Sequence, residues 1–152
     1  VFEEHLYTEQ MQALLRQAIG ALPPGSGRPR ILLTTVPEEQ HILGILMSEA
    51  LLTLEGAGCV SLGTQTPLAD IGLAARAQQA DIVALPFSSA FPTRQVAPLL
   101  QQLRGMLAAN IEVWAGGAGI ERVAAQEGVR IMGSLDAALE GLAQWRASHP
   151  AH

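Results

Sequence analysis

The chain divides by its hydrophobic rhythm. Over residues 1–22 good helix formers run without a glycine until Gly20, and the PPGSG that follows stops the helix. On a wheel advancing about 100° per residue, Met11, Leu14, Leu15, Ala18 and Leu22 share one broad face, while Phe2 and Leu6 point away from it. The pattern predicts a helix whose later turns pack on the domain that follows and whose first turns pack on helices outside the chain. Residues 1–23 are thus expected to be the last helix of a truncated helical bundle, and 24–28 a linker.

Beyond the linker, short apolar runs alternate with helical stretches. Strands are expected at 30–36, 59–62, 81–87, 111–115 and 129–132, and helices at 40–55, 67–79, 92–107, 120–126 and 135–145. Strands this apolar need cover on both faces, which a parallel sheet with crossover helices provides. The predicted fold class is α/β: a five-stranded, doubly wound parallel sheet of flavodoxin-like (Rossmann-type) order over 29–147, with 148–152 as a disordered tail.

Composition narrows the function. The chain has 152 residues, is 49% hydrophobic and 15% charged, and has a mean hydropathy of +0.25, values of a folded domain. All nine basic residues are arginines, against fourteen acidic ones, and the net charge of −5 argues against this segment gripping a phosphate backbone by itself. The absence of lysine excludes a P-loop lysine or a Schiff base. Cys59 is the sole cysteine, so no internal disulfide forms, and no apolar run reaches membrane length. A cytoplasmic protein without a membrane partner is expected.

In a doubly wound sheet ligands bind beyond the carboxyl ends of the strands. The loops there read PEEQHILG, GTQTP, SSAFP, GGAG and GS. Such residues are also ordinary turn formers and caps, but the first loop differs. Glu39, His41 and Gly44 place an imidazole just past the first strand, with a carboxylate two residues before it and a glycine three residues after it. Neutral imidazole is a common metal ligand and is best oriented when its other nitrogen donates to a carboxylate. An isolated loop histidine is more often exposed or capping. One histidine also cannot build a zinc site, so any metal here must bring most of its ligands with it.

Glu39-x-His41-x-x-Gly44, Leu62-Gly63 followed by Pro67, and Gly116-Gly117, in this order after the first, second and fourth strands, resemble the signature of cobalamin-binding domains. The resemblance spans about residues 29–147. It implies cobalamin as cofactor and His41 as the cobalt ligand from below, with Glu39 as its orienting partner. Gly44, Gly63, Gly116 and Gly117 would shape a slot for the nucleotide tail, and Ile42, Leu62 and Thr66 would join the cofactor contacts. Glu rather than Asp at position 39 is similar to the light-responsive MerR-class regulators of the CarH and LitR type. Glu4-His5 sits where those regulators carry a Glu-His pair over the upper face of the cofactor. The resemblance departs at Pro86. The family commonly has a serine there that hydrogen-bonds the base of the tail, whereas proline offers neither hydroxyl nor amide hydrogen. Ser88, two residues on, would point the same way if the strand continued.

Other residues read as structure. Trp114 is expected in the core, Trp145 between the last helix and the sheet, Met47 as gap filler, and His149 and His152 in the tail. The resemblance implies the sensor domain of a transcription regulator that binds adenosylcobalamin, forms a homo-oligomer and reaches DNA through an N-terminal domain outside this chain. A cobalamin-carrying subunit of a methyltransferase or mutase is the alternative, and a cofactor-free interaction domain a third. No catalytic residue is assigned, and an enzyme is not expected.

Overall fold

A computed structural model describes residues 2–22 and 27–150, without the side chains of 2–5. Helix α1 (Phe2–Ala21) precedes five strands: β1 (Arg30–Leu33), β2 (Gly58–Ser61), β3 (Ile82–Pro86), β4 (Glu112–Gly116) and β5 (Val129–Met132). Between and after them lie α2 (Ile42–Leu54), α3 (Leu68–Ala77), α4 (Thr93–Met106) and α5 (Leu135–Ser148). The sheet is parallel throughout, with strand order β2-β1-β3-β4-β5. This is the flavodoxin-like order expected from the alternation. The order reverses at β1, so the loops after β1 and β3 open beside each other, as at the switch point of such sheets.

Strand side chains alternate between two cores because their period is two. Leu32, Val83, Leu85, Val113 and Ala115 face α3 and α4, where Ile71, Val96, Leu100 and Leu103 meet them. Ile31, Leu33, Ile82, Ala84 and Trp114 face α2 and α5, where they meet Ile45, Leu52, Leu142 and Trp145. Trp114 and Trp145 are both core, as expected. Helix α2 carries apolar residues nearly all round, because α1 packs on its outer side and the sheet on its inner side.

Several expectations are corrected. The expected helix at 120–126 is absent. A 3₁₀ turn, Ala118–Ile120, takes the chain toward β5 instead. Seven residues are too few to nucleate a helix unaided, and the Gln126 side chain is spent on the Ala97 carbonyl at 2.8 Å. On α1, Met11, Leu15, Ile19 and Leu22 are half-buried, while Leu14 and Ala18 of the expected face are exposed. One neighbouring helix covers only the narrow stripe at i, i+4, i+8 and i+11. Leu6 is exposed, and the side chains of Phe2, Glu4 and His5 lie outside the described set. At the other end α5 continues to Ser148, and His149 stacks on Trp145 with ring centroids 4.2 Å apart, where a disordered tail was expected. His152 lies outside the described residues. No helix among the described residues is long and apolar enough to cross a membrane.

Candidate functional site

The site starts with two buried threonines. Strand β1 ends at Leu33, and Thr34 and Thr35 continue it fully buried. The Thr34 hydroxyl lies 2.9 Å from the Gly63 carbonyl and 2.6 Å from Thr66 Oγ1. Thr35 Oγ1 donates to the Glu39 carbonyl at 2.7 Å and accepts from the Gln65 amide at 2.8 Å. The loops after β1 and β2 are thereby bound into one unit. Glu38 adopts φ 76°, a left-handed conformation that costs a side-chain-bearing residue on the order of 1 kcal/mol. That turn sends Glu39 inward.

Glu39 is 2% exposed, a carboxylate at the bottom of the loop. Its Oε1 accepts from the Ser88 amide, and its Oε2 from the Ser88 hydroxyl at 3.1 Å and the His41 amide at 3.2 Å. His41 Nδ1 lies 2.9 Å from Oε2. Burial pushes the Glu39 carboxyl up. The bonds from Ser88 and His41 outweigh it and hold the group below its usual value of 4.5. An ionised Glu39 favours a proton on Nδ1, and in the neutral imidazole this tautomer leaves Nε2 with its lone pair directed outward. The His41 ring is 61% exposed. His41 occupies the N-cap position of α2 yet makes no side-chain capping bond, so its geometry serves Glu39 rather than the helix.

One turn along α2 from His41, a cleft of about 730 Å³ opens between α2 and α5, over the carboxyl ends of β3, β4 and β5. It falls in the size range of small-molecule and cofactor sites. Gly44 stands at its neck, where an added Cβ would lie 3.2 Å from Pro86 Cβ. Gly116 and Gly117 lie along its far wall. Gly117 has φ 89°, and a Cβ there would strike the Phe87 carbonyl. Its identity is set by the close approach of two backbones.

Comparison with known proteins bears on what this arrangement serves. No family model matches the chain. Over 118 residues, 78% of this chain and 39% of the relative, it is 32% identical to the HTH-type transcriptional repressor CarH of Myxococcus xanthus. Over 101 residues, 66% of this chain and 35% of the relative, it is 33% identical to the HTH-type transcriptional repressor CarA of the same organism. Over most of its own length the chain is a relative of these HTH-type transcriptional repressors. It spans less than two fifths of the length of either one. The fold is shared with a cobalamin-binding protein from Desulfitobacterium hafniense, at a TM-score of 0.57 and 21% identity over 80% of this chain and 59% of that one. It is shared equally with the monomethylamine corrinoid protein of Methanosarcina barkeri, at a TM-score of 0.59 and 19% identity over 88% of this chain and 65% of that one.

The residues singled out from sequence fall into three groups. Glu39, His41 and Ser88 form one hydrogen-bonded cluster, and Ile42 begins the helix directly after it. Gly44, Gly116 and Gly117 line the cleft. Leu62, Gly63 and Thr66 lie on the loop after β2, across β1 from the cleft, where Gly63 and Thr66 serve Thr34 and Leu62 is exposed. Ser88 corrects the expectation that it would stand in for a serine at position 86. The strand ends at Pro86, and the Ser88 hydroxyl turns to Glu39 instead of the cleft. Glu4 and His5 lie on α1, with their side chains outside the described set.

Sequence reasoning missed Thr34 and Thr35, whose signal was a pair of hydroxyls closing an apolar strand. It also missed Ser48, four residues after Gly44 and therefore on the same helix face. Cys59 is half-buried on β2, and burial pushes its thiol up to about 11, so it is not a thiolate at neutral pH. Among the described residues no group of three or more His, Cys, Asp or Glu is placed to hold a metal ion.

Proposed function

We propose that this chain is the cobalamin-binding sensor domain of a transcription regulator. The observation that carries the reading is the buried carboxylate that fixes His41 by Nδ1 and leaves Nε2 outward, beside a mainly apolar cleft at the strand ends. An outward imidazole with no metal-ligand cluster around it among the described residues suits a metal that arrives with its other ligands already supplied by a macrocycle. His41 would bind cobalt from below, Glu39 and Ser88 would hold the ring, and the cleft beside Gly44 would take the nucleotide tail. Loops 34–39 and 62–66, locked by Thr34 and Thr35, would support the corrin from beneath.

The bound cofactor would supply a cobalt centre and, in the adenosyl form, a cobalt to carbon bond that light can break. We read adenosylcobalamin as the form sensed, and cofactor-dependent self-association as the response that an upstream DNA-binding domain converts into repression. The coupling is linkage: a ligand favours an assembly only by binding it better than the separated subunits. The carrier-subunit alternative is supported only by likenesses at or below 21% identity, whereas the repressor relatives match at 32–33%.

The test is titration of the purified chain with cobalamins in the dark, read by absorbance and calorimetry. A saturable, His41-dependent spectrum is expected, and His41→Ala should shift the spectrum and weaken binding by at least about tenfold. Saturation with an identical spectrum in wild type and His41→Ala would overturn the assignment. Dark and illuminated sedimentation of the loaded chain then tests the adenosyl and light reading.

A further inference from the structure

The cleft beside His41 is chemically lopsided. Leu51, Leu52, Ala84, Pro86 and Met132 give it apolar walls, and the Trp114 indole N–H is turned away to Glu112 at 3.0 Å. Glu121 and Ser134 reach it only at exposed positions, and Ser134 caps α5 by accepting from the Ala137 amide at 3.1 Å. Ser48 is different. It is half-buried in the lining, one turn beyond Gly44 on the cleft-facing side of α2. A serine inside a helix commonly bonds back to the carbonyl four residues earlier. The Ser48 hydroxyl makes no such bond, nor any other to a described residue. Across the cleft, Pro86 has no donor to offer.

Resting on the reading of this cleft as the site of the nucleotide tail, we propose that Ser48 is the hydrogen-bond donor to the base of the tail. One donor in apolar walls also sets specificity: the cleft takes a flat aromatic base with a single ring-nitrogen acceptor, of the benzimidazole type, in preference to an aminopurine. A benzimidazole linked through one nitrogen has one acceptor left, which Ser48 satisfies. Adenine brings further ring nitrogens and an amino group, and burial without partners penalises each of them. Gly44 favours this arrangement, because a Cβ there would lie 3.2 Å from Pro86 Cβ, a tight contact that would push α2 and Pro86 apart by a few tenths of an ångström.

The experiment compares wild type, Ser48→Ala, Ser48→Thr and His41→Ala against three probes: cobinamide, which lacks the tail, cobalamin, and an adenine-tailed cobamide. Affinity is read by calorimetry and ligation by absorbance. Ser48→Ala should weaken cobalamin about five- to tenfold and leave cobinamide unchanged, and Ser48→Thr should restore most of the loss. On wild type the adenine-tailed cobamide should bind at least about tenfold more weakly than cobalamin. Equal cobalamin affinity for wild type and Ser48→Ala, an equal loss with cobinamide, or no discrimination between the two tails would overturn the proposal. If His41→Ala still alters the spectrum in that case, the cobalamin reading stands and the Ser48 assignment alone falls. If no corrinoid binds, both fall.

Discussion

The two faces of the sheet are covered by the same kind of helix with opposite results. On the side of α3 and α4, Val96, Leu100 and Leu103 are fully buried, and Phe87 meets Phe91 edge to face with centroids 5.2 Å apart. On the side of α2 and α5 the strand residues are nearly as buried, but a cleft lies between the two helices at the strand ends. Helix α5 presses on the sheet at Gly141, where a Cβ would lie 2.7 Å from Met132 Cε, and at Trp145. Its first turn stands off, leaving Leu135 64% exposed and, across the gap on α2, Met47 58% exposed. Apolar surface left open at a defined place is a feature of sites that await a partner. The closed face supplies stability, and the open face forgoes some of it to hold a ligand-sized space.

That contrast is broken most directly at Leu100. Leu100→Ala should destabilise the protein by about 3 kcal/mol, the usual cost of a cavity in a sealed core, measured by urea denaturation. Met47→Ala, across the sheet, should cost less than about 1 kcal/mol because the side chain is already largely solvated. Comparable losses would mean the two faces contribute alike. Gly117→Ala comes next, at about 2 kcal/mol by the same measurement. The substitution forces a side chain into φ 89° and against the Phe87 carbonyl, a close approach that holds the cleft wall in place.

What the sequence disclosed follows the range of the interactions. The strands and the sheet order were legible because alternation between short apolar runs and helices leaves few topologies. The Glu39–His41 pair was legible because its partners are two residues apart. Ser88, which completes that pair, is 49 residues from Glu39, and no local pattern encodes such a contact. The missing helix at 120–126 was a local misreading: composition favoured it, but the bonds of Gly119 N–H to the Phe87 carbonyl at 2.8 Å and of Gln126 to Ala97 fix another path. On α1 the apolar wheel was read too broadly, since Leu14 and Ala18 are exposed, with no neighbour among the described residues to cover them.

Glu39 sharpens the comparison through pH. Its carboxyl titrates below its usual 4.5 in the folded state, so protons bind the unfolded chain first as pH falls. The stability it contributes is complete above about 4.5 and is lost as pH drops through the folded value. Glu39→Gln keeps the shape but not the charge. It should cost about 1–2 kcal/mol at neutral pH and flatten the acid limb of a stability–pH curve below about pH 4.5. An acid limb as steep in Glu39→Gln as in the wild type would assign the acid sensitivity elsewhere. Leu100→Ala should lower the whole curve without changing that slope.

The smallest effect on stability gives the cleanest separation of the faces. Leu73 on α3 and Leu135 at the start of α5 are equally exposed, at 64% each, one on the closed side and one at the rim of the cleft. Replacing either with serine should change stability by no more than about 0.5 kcal/mol, since little apolar burial is lost. If the open face receives the tail of a corrinoid, Leu135 is covered in the complex and Leu73 is not. Covering a leucine is worth about 1 kcal/mol at 25 cal/mol per Å², so Leu135→Ser should weaken cobalamin about three- to tenfold by calorimetry while Leu73→Ser leaves it unchanged. Equal affinity for the two variants would show that exposure at the rim is incidental, and that the space between α2 and α5 is a packing consequence of Gly44 and Gly141 rather than a place kept for a ligand.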